Sequence, residues 1–173
     1  MRAVSAKICI LGDFAVGKTS TVERVVNNQF SDKYLTTIGV KVDTKEIALL
    51  GDLTLKLVLW DVAGSDRFGP IEFNYLRGAA GFVFAGDGTR AATLDTARDL
   101  KQQCDEKFGR IPSVMLVNKS DLVEDWDVSD ERLAALEQTF DAVFITSAKT
   151  GDNVEDAITS LGKQVAQHEF SVD

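Results

Sequence analysis

Ala6-Lys7-Ile8-Cys9-Ile10-Leu11, then Gly12-Asp13-Phe14-Ala15-Val16-Gly17-Lys18-Thr19, then Thr21-Val22-Glu23-Arg24-Val25-Val26: these three consecutive pieces decide the fold. The first is a mostly apolar run of strand length. The last places Val22, Val25 and Val26 on one helical face. The segment between them fits the pattern G-x-x-x-x-G-K-[ST], whose glycines let a loop curl until successive backbone N–H groups point inward as an anion nest. The helix that starts near Gly17 adds the positive end of its dipole. Strand, loop and helix together make a polyphosphate cradle. Lys18 can reach the terminal phosphates, and the Thr19 hydroxyl can ligate a magnesium ion bridging the same oxygens.

Outward from this unit, short apolar runs alternate with helical patterns, the signature of a wound, largely parallel sheet. Val40 to Leu50 and Leu53 to Trp60, separated by Gly51-Asp52, read as an antiparallel hairpin. Gly81 to Ala85, Val114 to Val117 and Val143 to Ile145 are further strands. Leu94, Ala97, Leu100, Cys104 and Phe108 recur at helical spacing, and Asp152-x-x-Glu155 reads as a capping box before Val154, Ala157, Ile158, Leu161 and Val165. The expected fold is α/β: a six-stranded, mostly parallel sheet with one antiparallel edge strand and helices on both faces. Residues 1–173 are expected to form one domain, because 173 residues with 45% apolar content suffice for one compact core and not for two.

The formal net charge of −8 argues against nucleic-acid or anionic-membrane binding, which needs clustered Lys and Arg. Cys9 and Cys104, one in a strand and one in a helical stretch, read as reduced core residues, which suits the cytoplasm. No stretch has the length of a membrane span, and Met1-Arg2-Ala3-Val4 has neither a signal peptide's apolar region nor a Gly for myristoylation. The chain as given has no Cys in Gln167–Asp173, so no lipid anchor is expected on it. His168, the single histidine, reads as a surface residue of the last helix.

The chemical motifs fall just after strands, where ligands bind in open α/β sheets. Asp61 closes the third strand and can hold a water of the magnesium shell. Asn118-Lys119-Ser120-Asp121 closes the fifth. The Asp121 carboxylate can accept from both N1–H and the exocyclic amine of guanine, a donor pair that adenine lacks. Asn118 can orient the loop and contact the base edge, and the Lys119 stem can lie along the purine face with its charge in solvent. Ser147-Ala148-Lys149, after the sixth strand, can offer a backbone N–H to guanine O6.

Here the chain resembles the Ras superfamily of small GTPases, and within it the Rab-like branch, over nearly its whole length. The resemblance rests on Gly12 to Thr19, Thr37-Ile38-Gly39-Val40, Trp60-Asp61-Val62-Ala63-Gly64, Arg67-Phe68, Tyr75-Leu76-Arg77-Gly78-Ala79, Asn118 to Asp121 and Ser147 to Lys149. It implies that Phe30 stacks on guanine, Tyr34 covers the phosphates, Thr37 binds magnesium and the γ-phosphate, and Gly64 donates its N–H to the γ-phosphate. The implied nucleotide-contacting set is Phe14, Ala15, Val16, Gly17, Lys18, Thr19, Ser20, Phe30, Tyr34, Thr37, Gly64, Asn118, Lys119, Asp121, Ser147, Ala148 and Lys149. Magnesium falls to Thr19, Thr37 and Asp61, and catalysis to Lys18, Thr37, Gly64 and Ser65. Two loops held by one phosphoryl group and its metal would be released together on hydrolysis. Residues 34–40 and 65–76 are then the surface read by effectors, with an exchange factor and a GTPase-activating protein as further partners. Phe68, Ile71 and Phe73 read either as an exposed apolar cluster on that surface or as a switch helix packed on the core.

Two departures from the family pattern bear on mechanism. Ser65 stands where members carry a water-orienting Gln, and Phe14 brings a benzyl group to a position that members keep small, beside the space an inserted arginine needs. Both point to slow hydrolysis. The alternatives are that Phe14 swings outward and Asp66 or Arg67 positions the water, that the protein is an essentially non-hydrolysing GTP-binding module, or that it is an ATP-using P-loop enzyme, against which Asp121 argues.

Overall fold

The computed structural model describes residues 2–31, 39–49, 51–63 and 71–170. Its sheet has six strands: β1 (Arg2–Gly12), β2 (Val40–Ala48), β3 (Leu53–Val62), β4 (Gly81–Asp87), β5 (Ser113–Asn118) and β6 (Val143–Ile145). They lie in the order β2-β3-β1-β4-β5-β6, with only the edge strand β2 antiparallel to its neighbour. Among the described residues four α-helices pack on the faces: α1 (Lys18–Asn27), α2 (Ala91–Phe108), α3 (Asp130–Thr139) and α4 (Val154–Phe170).

The strand order follows from burial. β4 and β5 are buried at every position, as expected of central parallel strands covered on both faces. β2 is exposed or half-buried everywhere except at Ile47 and accordingly sits at the edge. Ile8, Leu57, Leu59, Val114, Ile158 and Leu161 fill the layer between the sheet and the α1 and α4 side. Cys9, Phe84, Leu94, Leu100, Met115 and Phe140 fill the opposite layer. Leu57 is 0% exposed. Leu57→Ala is expected to lose about 3 kcal/mol in denaturant unfolding, since the neighbouring layers cannot collapse onto the hole.

Several boundaries differ from those the sequence pattern gives. β1 begins at Arg2, not Ala6, because Arg2 to Ser5 pair with Leu53 to Lys56 through the backbone, independently of hydrophobicity. β2 ends at Ala48, since Gly51 (φ 75°) and Asp52 (φ 62°) both turn left-handed and reverse the chain. α4 begins at Val154, one residue later than the Asp152–Glu155 capping box places it, with Asn153 at φ 60° before it. The pattern marks no element between Asp121 and Val143, yet α3 forms there: Ser129 caps it by accepting from the Arg132 N–H, and it buries only Leu136 deeply. Ile71 is buried and Phe73 packs half-buried against the second layer, so these two belong to the core and not to an exposed cluster; Phe68 lies outside the described residues.

Both thiols are buried and free, and burial pushes each up to about 12, so neither is a nucleophile at neutral pH. His168 lies on α4 with its side chain half-exposed beside Glu169. Among the described residues no helix is long and apolar enough to cross a membrane.

Candidate nucleotide site

The loop from Gly12 to Gly17 leaves the C-terminal end of β1 and turns into α1 at Lys18. Gly17 has φ 100°, and a Cβ on it would collide with the Asn118 amide. Gly12 has no room either, because a Cβ there would strike the Ala85 carbonyl of β4. Within the phosphate loop and the loop after β5, Ala15 (φ 63°) and Lys119 (φ 71°) also adopt left-handed backbone. Such conformations cost about 1 kcal/mol each outside glycine and gather at functional sites. These two are joined: Lys119 Nζ donates to the Ala15 carbonyl at 2.9 Å.

The loop's carbonyls are held from outside in sequence. Lys18 Nζ donates to Asp13 O at 3.0 Å, Arg90 Nη2 to Phe14 O at 2.9 Å, Lys119 Nζ to Ala15 O at 2.9 Å and Asn118 Nδ2 to Val16 O at 3.0 Å. In a trans peptide the carbonyl and the following N–H point in opposite directions. Fixing the carbonyls of Phe14, Ala15 and Val16 therefore turns the N–H groups of Ala15, Val16 and Gly17 the other way, as a row of donors suited to a polyphosphate.

Lys119 departs from the sequence expectation. Its charge does not stand in solvent but pairs with Asp87 Oδ2 at 2.9 Å. Asn118 is 2% exposed, and its Oδ1 accepts from the Ala148 N–H at 3.1 Å and from Thr146 Oγ1 at 3.2 Å. From the end of β5 it thus ties the phosphate loop and the Thr146–Lys149 segment into one unit, which makes it an organiser of both loops. Ser147 Oγ donates to Asp121 Oδ1 at 2.8 Å and fixes the rotation of that carboxylate. Arg24, on α1, donates through Nε to Ala148 O at 2.9 Å and through Nη1 to Asn28 O at 3.3 Å, joining the same segment to the turn that leads to Phe30. Phe30 is 36% exposed, a high value for a large apolar ring.

Asp61 lies one residue inside the end of β3 and not beyond it, is fully buried, and accepts a hydrogen bond from Thr19 Oγ1. A hydroxyl and a carboxylate side by side at the foot of the phosphate loop are hard oxygen donors of the kind magnesium takes alongside phosphates. Among the described residues no cluster of three His, Cys, Asp or Glu is placed to hold a metal ion. Ser20 is half-buried in the first turn of α1. Tyr34, Thr37, Gly64, Ser65, Asp66 and Arg67 lie outside the described residues.

The sequence reading missed Asp87, Arg90, Arg24, Thr96 and Thr146. Asp87 left a faint signal, an acidic residue closing an apolar run and followed two residues later by Thr89, which is the composition of an Asx turn. Both Thr89 donors bond its Oδ1, the N–H at 2.8 Å and the hydroxyl at 2.7 Å. Burial would raise the Asp87 pKa. The hydrogen bonds from Thr89, Lys119 and Arg90 outweigh it and bring the carboxyl below its usual range, so it is ionised at neutral pH.

A Ras-family model matches residues 7–167, which takes in the phosphate loop, Asp61, Asn118 to Asp121 and Ser147 to Lys149. The chain belongs to the Ras family. Its relatives place it in the Rab-like branch. It is 35% identical to the Ras-related protein Rab-32C of Dictyostelium discoideum over 95% of this chain and 75% of that protein. It is 36% identical to the Ras-related protein Rab-1 of Theileria parva over 91% of this chain and 72% of that one. With the Ras-related protein Rab-7L1 of Rattus norvegicus it shares 35% identity over 90% of this chain and 79% of the relative. As a Ras-family small GTPase it is a GTP-binding switch of the kind that takes GTP and GDP with magnesium and works through effectors, exchange factors and activating proteins.

Proposed function

We propose that this small GTPase selects guanine through Asp121, holds the phosphates on the N–H groups of Ala15 to Thr19 together with Lys18, and hydrolyses GTP slowly. The observation that carries the first two parts is the Asn118–Lys119 pair, which joins the phosphate loop to the Asp121 segment by bonds of 3.0 Å and 2.9 Å. Base recognition and phosphate binding are thereby built on one framework. Thr19 and Asp61 would hold magnesium, with Thr37 as the expected further ligand, and the ion when bound supplies charge neutralisation at the phosphoryl oxygens. Phe30 would stack on the base.

Slow turnover rests on Phe14 and Ser65. The Phe14 N–H donates to Asp13 Oδ1 at 2.8 Å and its carbonyl accepts from Arg90, so its backbone is gripped on both sides. With that backbone fixed, the ring can leave the space beside the γ-phosphate only by rotating χ1. Ser65 has no amide to accept from water while donating to the phosphoryl group. An essentially non-hydrolysing module is the second reading, favoured by the same two residues.

The test is the nucleotide that copurifies with the protein, followed by single-turnover hydrolysis in its magnesium complex. Guanine nucleotide with a large intact GTP fraction, and turnover roughly ten- to a hundredfold below that of a Rab carrying the Gln, is the expected result. Copurified adenine nucleotide would reject the base assignment, and ordinary turnover would reject the slow-hydrolysis part.

A further inference from the structure

The β4–α2 junction reaches over the phosphate loop with a side chain that lies outside the nucleotide-contacting set. Arg90, at the N-terminal boundary of α2, has its backbone set by a tight turn in which its N–H donates to the Asp87 carbonyl at 2.9 Å. Its guanidinium then bridges two acceptors, Nε to Asp87 Oδ2 at 2.9 Å and Nη2 to the Phe14 carbonyl at 2.9 Å. Asp87 is 1% exposed and its Oδ2 also receives Lys119 Nζ at 2.9 Å. One buried carboxylate thus anchors two cations, and each cation passes a donor to one of two successive loop carbonyls, Phe14 and Ala15. A second tie runs alongside, from the α2 hydroxyl Thr96 Oγ1 to Asp13 Oδ2 at 3.1 Å.

We infer that Arg90 is a positioning residue for the phosphate loop: bridging Asp87 and the Phe14 carbonyl, it holds the Ala15 N–H toward the nucleotide and slows release of di- and triphosphates. The geometry demands such a hold. Ala15 is in the left-handed region without being glycine, and its preferred conformations would turn the adjoining peptide planes and withdraw their N–H groups from the cradle. Lys119 fixes the plane after Ala15, and Arg90 fixes the plane before it. Because the guanidinium is a rigid planar fork, its bond to Asp87 sets the direction of its bond to Phe14. The Arg90 side chain bonds Asp87 and the Phe14 carbonyl and makes no bond to Asn118, Asp121 or Ser147–Lys149, so its effect falls first on nucleotides that carry phosphates beyond the first.

The inference rests on the nucleotide-site reading above, and the experiment separates the two. Release of a fluorescent GDP analogue, chased with excess GDP in magnesium buffer, is measured for the wild type, Arg90→Ala and Arg90→Lys, with far-UV circular dichroism to verify folding. Competition by GMP is measured in parallel. Arg90→Ala is expected to release GDP about tenfold faster, the effect of losing one charge-assisted hydrogen bond. GMP affinity is expected to stay within twofold, and Arg90→Lys, which keeps the charge but loses the planar fork that links the two bonds, to recover only part of the loss. Release at the wild-type rate in Arg90→Ala, an equal loss for GDP and GMP, or full recovery by Arg90→Lys would overturn it. Should Arg90→Ala not fold, Arg90→Gln, which keeps the stem and one amide donor, takes its place in the same comparison. A wild type that binds no guanine nucleotide at all would instead sink the site reading.

Discussion

Asp121→Asn is expected to weaken GDP and GTP binding by roughly a thousandfold and to turn the preference toward xanthine nucleotides. Guanine offers two adjacent donors, N1–H and the exocyclic amine, and a carboxylate accepts both. Each charge-assisted hydrogen bond contributes about 2 kcal/mol net in a site shielded from water, so losing the matched pair costs about 4 kcal/mol, roughly three decades in affinity. Xanthine keeps N1–H but places a carbonyl where guanine has its amine, a donor–acceptor edge that an amide side chain complements. Ser147 Oγ donates to Asp121 Oδ1 and fixes the rotation of the group, so the exchange of one oxygen for a nitrogen is read at the base and not absorbed by free rotation. Competition of GDP, XDP and ADP against a fluorescent nucleotide checks it. An Asn variant that still prefers GDP over XDP would show that guanine is read elsewhere.

Ser65→Gln is expected to raise single-turnover GTP hydrolysis roughly ten- to a hundredfold, the usual scale for correctly orienting an attacking group. The amide can accept a hydrogen bond from the water while donating to the phosphoryl oxygen, and the serine hydroxyl is too short to do both. Phe14 bounds the gain, because its backbone remains gripped by Asp13 and Arg90 in the variant. Shrinking that side chain in the same background, as Phe14→Gly with Ser65→Gln, is expected to add response to an activating protein that inserts an arginine. High-performance chromatography of bound nucleotide over time measures the rates. No acceleration in Ser65→Gln, with the wild type already turning over at an ordinary rate, would mean that another group positions the water.

How much of this was written in the chain differs from element to element. The phosphate loop was legible because its signature is compact: eight consecutive residues carry the G-x-x-x-x-G-K-[ST] pattern, and the flanking runs carry the strand and helix periods. β4, β5 and the apolar faces of α2 and α4 were legible because deep burial on both sides of a sheet leaves continuous or 3.6-periodic apolar runs. α3 was not, since a half-exposed helix that buries one leucine deeply leaves little periodic signal and is held by its Ser129 cap and by the Arg132–Asp95 ion pair. The extension of β1 back to Arg2 was equally silent, because backbone pairing carries no residue signature.

The sequence by itself determined the family, a six-stranded, mostly parallel sheet with one antiparallel edge, and the residue types that can meet guanine, phosphate and magnesium, because those follow from motifs and apolar runs read within a few neighbouring positions. Tertiary structure alone decided what those residues do to one another. It turned Lys119 from a solvent charge into a partner of buried Asp87, assigned Asn118 to holding two loops to the end of β5, and brought Arg90, 76 residues from Phe14 along the chain, onto that residue's carbonyl. A carbonyl has no identity in a sequence, so a side chain that grips one can be found only after the strands have folded their ends together.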